Sequence, residues 1–135
     1  MFKEEVNAVC NASFAKINFL KSNPLGYFIA SMLAGMYVGF GILLIFTIGG
    51  LLGSFAGTKI VMGASFGIAL SLVIIAGAEL FTGNNFVMTV GLLNKKVSFY
   101  YTIKLWIICY IGNLIGSILL CICPQIICLS IFLFY

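Results

Sequence analysis

The sequence contains no histidine, no arginine and no aspartate. Without histidine, the usual haem ligands and histidine–zinc sites are excluded. Charged residues make up only 7% of the chain, against about 25% in a soluble domain. A water-soluble fold of this length could not cover its surface with so few. The formal charge of +4 comes from seven lysines against three glutamates. These lysines form no cluster of the kind that grips phosphates, so nucleic acid is not an expected partner. Cys10, Cys109, Cys121, Cys123 and Cys128 include no C-x-x-C pair. The group at 121, 123 and 128 would suit a soft metal in principle, but small apolar packing residues are the simpler reading. No metal or cofactor is expected. An odd number of cysteines suggests no disulfide framework. No nucleophile–base pair is visible, so the chain is not read as an enzyme or enzyme subunit.

What is present is hydrophobic: 63% of the 135 residues. Long uncharged runs identify an all-α integral membrane protein, expected as a single domain over 1–135. No cleavable signal peptide is visible, and the first membrane helix is expected to act as its own insertion signal. Residues 1–22 carry Phe2, Val6, Val9, Cys10, Ile17 and Leu20 near helical spacing, with Lys3, Lys16 and Lys21. This pattern predicts a cytoplasmic amphipathic segment on the membrane surface, or else a partly ordered tail. Asn23 and Pro24 signal a helix start. Helix one is expected at 25–48, ending in the glycines at 49, 50 and 53. The next run, 60–93, is broken only by Glu79 in charge. A straight helix over it would reach about 50 Å, beyond a hydrocarbon core of about 30 Å. It is therefore expected to break. Helix three is expected at 98–121, with Tyr100, Tyr101 and Trp106 near its start as an interface belt. Pro124 is expected to end or kink it, leaving an atypical apolar tail over 122–135.

Lys3, Lys16 and Lys21 precede helix one, Lys95, Lys96 and Lys104 surround the next turn, and only Lys59 lies in the other loop. The positive-inside rule places the N-terminus and the 94–96 loop in the cytoplasm of a multi-pass plasma-membrane protein. The pairs Gly35/Gly39, Gly53/Gly57, Gly63/Gly67 and Gly112/Gly116 would let helix backbones approach closely. They point to a tightly packed, oligomeric bundle.

The stretch "AGAELFTGNN", 76–85, concentrates polar chemistry inside an apolar run. The break is expected within "TGNN": Gly83 accepts any backbone angle, and Asn84 or Asn85 can cap a new helix. A helix start at membrane depth presents free N–H groups and the positive end of a dipole, an arrangement suited to anions. Thr82 adds a hydroxyl donor. Glu79 is expected to accept hydrogen bonds from backbone or a lysine and so, with Asn85, to fix the break. A proton-relay role for Glu79 is the second reading. Replacing Gly83 by leucine is expected to harm packing more than the same change at Gly57.

"GAELFTGN" (77–84), "NPLGYFIASMLAGMYVGFG" and "YIGNLIGS" (110–117) resemble the formate/nitrite transporter family. That family consists of pentameric channels with an aquaporin-like fold. The resemblance implies that Thr82 hydrogen-bonds the anion from the wall of a central chamber. It places Leu80 and Phe81 at the cytoplasmic-side constriction, with Gly83 and Asn84 beside them on the anion pathway. The segment around 88–97 would be the flexible part below the pore. It implies formate, nitrite or hydrosulfide as substrate. Complete members have six membrane helices in two inverted halves, the second supplying a histidine that faces the threonine. This chain resembles the first half of that inverted-repeat fold, a truncated member with three membrane segments, the second one broken. An inverted repeat needs a partner of opposite orientation. The lysine bias denies this chain that role, so a separately encoded second half is a candidate partner, beside lipid and a small anion. The other reading is a non-conducting remnant or a packing partner of a full-length pentamer.

Overall fold

In the computed structural model, the backbone is described for residues 2–134 and the side chains for residues 2–122. The described chain is all helix: α1 (Phe2–Ser22), α2 (Pro24–Leu52), α3 (Thr58–Ile75), α4 (Phe81–Leu93) and α5 (Phe99–Phe134). Three of them have stretches long and apolar enough to cross a membrane: Pro24–Leu52, Thr58–Ile75 and Phe99–Ile122. Their composition explains this directly, since each is an uncharged or nearly uncharged apolar run of about the required length.

Asn23 caps α2, its side chain accepting from Gly26 N at 2.9 Å. Pro24 takes the first turn, where a missing N–H costs nothing. The helix runs past Gly49 and Gly50 and stops at Gly53, which has φ +54°. The expected end near residue 48 is therefore too early. Gly49 and Gly50 remain helical, and only Gly53 enters the left-handed region that stops the chain. The α5 backbone is helical to Phe134. The stop expected at Pro124, and with it the end of helix three at 121, is therefore not seen in the backbone; the side chains of the tail expected over 122–135 lie, Ile122 apart, outside the described residues.

α2 lies at the centre, packed on α3 along one side and on α5 along the other. Gly35 meets the backbone carbonyl of Asn113, and Gly116 meets that of Met32, so closely that a Cβ at either would collide. These contacts use the Gly35 and Gly112/Gly116 signals for α2–α5 packing. A Cβ at Gly63 or Gly67 would meet nothing within 4 Å among the described residues. α1 folds back onto α4, burying Cys10, Ser13, Ile17 and Leu20. Its apolar stripe therefore faces protein, while Phe2 and Phe14 stay exposed. Ile17, Leu20, Tyr27, Met88, Val97, Leu105 and Cys109 form the main core cluster. That cluster locks α1, α4 and α5 together beside the polar stretch at 76–85.

Candidate functional site

The interruption between α3 and α4 covers residues 76–80, upstream of the expected 82–85. Gly77 sets its position. Its φ of +65° is left-handed, its N–H bonds Ile74 O at 3.2 Å, and Ala78 N–H bonds Val73 O at 2.9 Å. Together these make a Schellman-type stop. The signal was available in sequence as a glycine just past an apolar run, but "TGNN" offered a more obvious set of breakers. Gly83, Asn84 and Asn85 all lie inside α4. Asn84 does not cap the helix, and Asn85 is not at the break. Gly83 needs no special backbone angle there.

Leu80 is extended, at φ −88° and ψ 128°, and gives no side-chain cap to α4. The cap comes from another helix instead. Asn113 of α5 accepts from Phe81 N at 3.0 Å. Its amide donates to Ser31 O on α2 and to Glu79 O, each at 2.9 Å. Cys109 Sγ donates to the same Glu79 carbonyl at 3.2 Å. Glu79 N–H in turn donates to Ala30 O at 3.1 Å. The loop is thus held from both α2 and α5.

The Glu79 carboxylate is buried and well supplied with donors. Lys16 Nζ lies 2.6 Å from Oε2. Asn84 Nδ2 donates to the same oxygen at 2.9 Å, and Tyr27 OH at 3.4 Å. Asn84 also donates to Tyr27 OH at 2.9 Å and to Cys109 Sγ at 3.3 Å. Trp106 Nε1 donates to Asn84 O at 3.4 Å. A buried acid needs such company, because an unpaired charge in a low-dielectric interior is very costly.

Thr82 and Gly83 differ from their neighbours. Both are exposed, and both line an open groove of about 460 Å³ with Lys16, Glu79, Leu80 and Asn84. Thr82 and Leu80 also line a second groove of about 220 Å³, together with Phe81, Tyr110 and Asn113. Phe81 stacks edge-on against Tyr110, with centroids 5.4 Å apart. The first intrahelical N–H bond of α4 is Asn84 N to Leu80 O at 2.9 Å. Asn113 takes the Phe81 N–H, so the N–H groups of Thr82 and Gly83 have no intramolecular acceptor among the described residues. Thr82 lines both grooves, and Gly83 lines the larger one beside it. Such a helix start attracts negative charge through its free donors and its dipole.

Sequence reasoning missed Lys16, Tyr27, Cys109 and Asn113 as members of this site. Asn113 was the most accessible of them, being an amide in an otherwise apolar membrane run. Lys16 gave no local signal, since its partner is 63 residues away.

A profile described as "Formate/nitrite transporter" matches residues 3–130. The nitrite transporter NirC of Salmonella typhimurium is 47% identical over 122 residues, covering 87% of this chain and 44% of NirC. A probable formate transporter of Methanothermobacter thermautotrophicus is 45% identical over 100 residues, covering 70% of this chain and 36% of that protein. A solved structure described as an FNT family ion channel superposes with a TM-score of 0.85 at 39% identity, covering 90% of this chain and 49% of the other. The chain thus spans less than half the length of these relatives. On the extent of the profile match and the identity across most of its length, the chain belongs to the formate/nitrite transporter family.

Proposed function

We propose that this chain forms one wall of a membrane pathway for small monovalent anions, with formate, nitrite and hydrosulfide as the substrate class. The observation that carries the reading is the start of α4. Thr82 offers a hydroxyl and a free N–H and lines both grooves, and Gly83 offers a second free N–H and lines the larger one. These donors are fixed before any ion arrives, so an anion shedding water there meets dipoles that need no reorganisation. Leu80 and Phe81 flank the donors with apolar surface and narrow the way past them. Glu79 faces the same groove, but its charge is offset by Lys16. It acts as a structural acid at the loop rather than as a repelling one.

In this reading, α3, the loop and α4 together form one broken membrane segment of an inverted repeat. Backbone groups that leave a helix at membrane depth are tolerated only when covered by protein or water. A second, oppositely oriented half supplies that cover, and the complete assembly is a pentamer of such units. The names of NirC and the probable formate transporter support nitrite and formate within that class without choosing between them.

Isotope-labelled formate and nitrite flux into proteoliposomes tests the reading, in an assembly that contains both halves. Thr82→Val removes the hydroxyl and should lower flux about tenfold, in line with the loss of one well-placed hydrogen bond to a charged group. Thr58→Val should leave flux near wild type, because the Thr58 hydroxyl only bonds Gly53 O, at 3.3 Å, at the far end of α3. Equal effects of the two changes would count against an anion contact at Thr82.

A further inference from the structure

The Asn113 side chain bonds α2, the loop and α4 at once. Its three short hydrogen bonds go to backbone, to Ser31 O, Glu79 O and Phe81 N at 2.9, 2.9 and 3.0 Å, and its amide also lies 3.8 Å from Cys109 Sγ. Its own backbone carbonyl lies against Gly35, so the side chain has a fixed origin and little freedom to move. It also lines the smaller groove together with Thr82.

From this geometry we infer that Asn113 is a positioning residue that sets how the anion-facing donors of α4 are presented. The inference rests on the anion-pathway reading above. A helix leaves its first N–H groups without intrahelical partners, and ordinarily a side chain at the N-cap takes one. Here Leu80 cannot, having no polar side chain. Asn113 takes the first N–H from across the bundle and ignores the next two. It therefore decides which donors are spent on the protein and which remain for an ion. Holding Glu79 O and Phe81 N on one rigid amide also fixes the direction in which α4 begins. The exposed N–H groups of Thr82 and Gly83 are aimed by that direction.

The chemistry of an amide is required. The donor end must meet two carbonyls while the acceptor end meets an N–H. A carboxylate in its place keeps the contact with Phe81 N but presents lone pairs to Ser31 O and Glu79 O. It also sets a negative charge on the groove that Thr82 lines.

The test is saturable flux in the two-half assembly that conducts as wild type, with Asn113→Asp and Asn113→Ser. Asn113→Ser is smaller than asparagine, adds no charge and reaches neither Phe81 N nor Glu79 O, so it serves if Asn113→Asp does not assemble. Both variants are expected to raise the half-saturating concentration of formate and of nitrite roughly tenfold, by unequal factors for the two anions. Flux is normalised to the amount of assembled protein. Thr102→Ala, which removes a buried hydroxyl bonded to Ser98 O at 3.1 Å, is the control for loss of packing. It should reduce the yield of assembly and leave half-saturation unchanged. If the Asn113 variants behave as Thr102→Ala does, with less protein and unchanged half-saturation, Asn113 is only a packing residue and the inference is wrong. Absence of saturable flux in the wild-type assembly would instead refute the anion-pathway reading, and the inference with it.

Discussion

Glu79 is the residue on which most of the polar network turns. One of its carboxylate oxygens receives donors from Lys16, Asn84 and Tyr27. Removing one partner of such a buried pair leaves the other charge uncompensated, which typically costs about 3–5 kcal/mol. Glu79→Gln should therefore lower the thermal stability of the purified assembly severely, and Lys16→Met should do so to a similar extent. The double change Lys16→Met with Glu79→Gln removes both charges together. It should be less damaging than the sum of the singles when measured by thermal unfolding in detergent. Additive losses would mean that the pair is not coupled. At this scale the sequence was partly legible. Glu79 and Thr82 stood out because polar groups are conspicuous in an apolar run. The partners of Glu79 did not, because Lys16 and Tyr27 reach it only through the folding of α1 and α2 around the loop. Asn84 looked like a cap, and it was drawn inward by a carboxylate that no local pattern reveals.

The elements were more legible than the joints between them. Apolar runs of membrane length located α2, α3 and α5, and the Asn-Pro signal located the start of α2. The joints were misplaced because glycine is plentiful here, and which glycine turns left-handed is decided by tertiary contacts. Gly53 and Gly77 do so, while Gly49, Gly50 and Gly83 stay helical. Gly77→Ala should destabilise the fold by about 1–2 kcal/mol, the usual cost of a side chain in the left-handed region. Gly83→Ala should leave stability nearly unchanged, since a Cβ there meets nothing within 4 Å. This reverses the sequence-based expectation that Gly83 is a packing glycine: Gly57, whose Cβ would meet the Phe55 ring, is the more confined of the two. Close packing divides the glycine pairs in the same way. Gly35→Ala and Gly116→Ala each drive a methyl into a facing backbone carbonyl and should abolish assembly, as judged by size-exclusion chromatography. Gly63→Ala lies on an open face and should leave the fold of this chain intact, changing its stability by no more than about 0.5 kcal/mol.

At the scale of the whole molecule, the lysines and the helix order make a topology proposal. Lys3, Lys16, Lys21, Lys95 and Lys96 share the cytoplasmic side, and Lys59 lies on the other. Single cysteines introduced at Lys59 and at Lys95 should react with a membrane-impermeant maleimide from opposite faces of intact cells and inverted vesicles, against the unmodified protein as background. Reaction of position 95 from outside would overturn the orientation. The α3 face bearing Gly63 and Gly67 is open, and the two grooves at Thr82 are open with it. On the function proposed above, the donors at Thr82 and Gly83 belong to one wall of an anion passage, and a second half supplies the facing wall.

The most direct test of that claim is anion flux measured with these 135 residues reconstituted alone and with a complementing second half of a formate/nitrite channel. Flux of formate or nitrite is expected at background level for the chain alone. Saturable flux, sensitive to Thr82→Val, is expected when the second half is present. Robust, saturable flux from the chain alone would contradict the half-passage account. No flux from a verified two-half assembly would contradict the anion pathway itself.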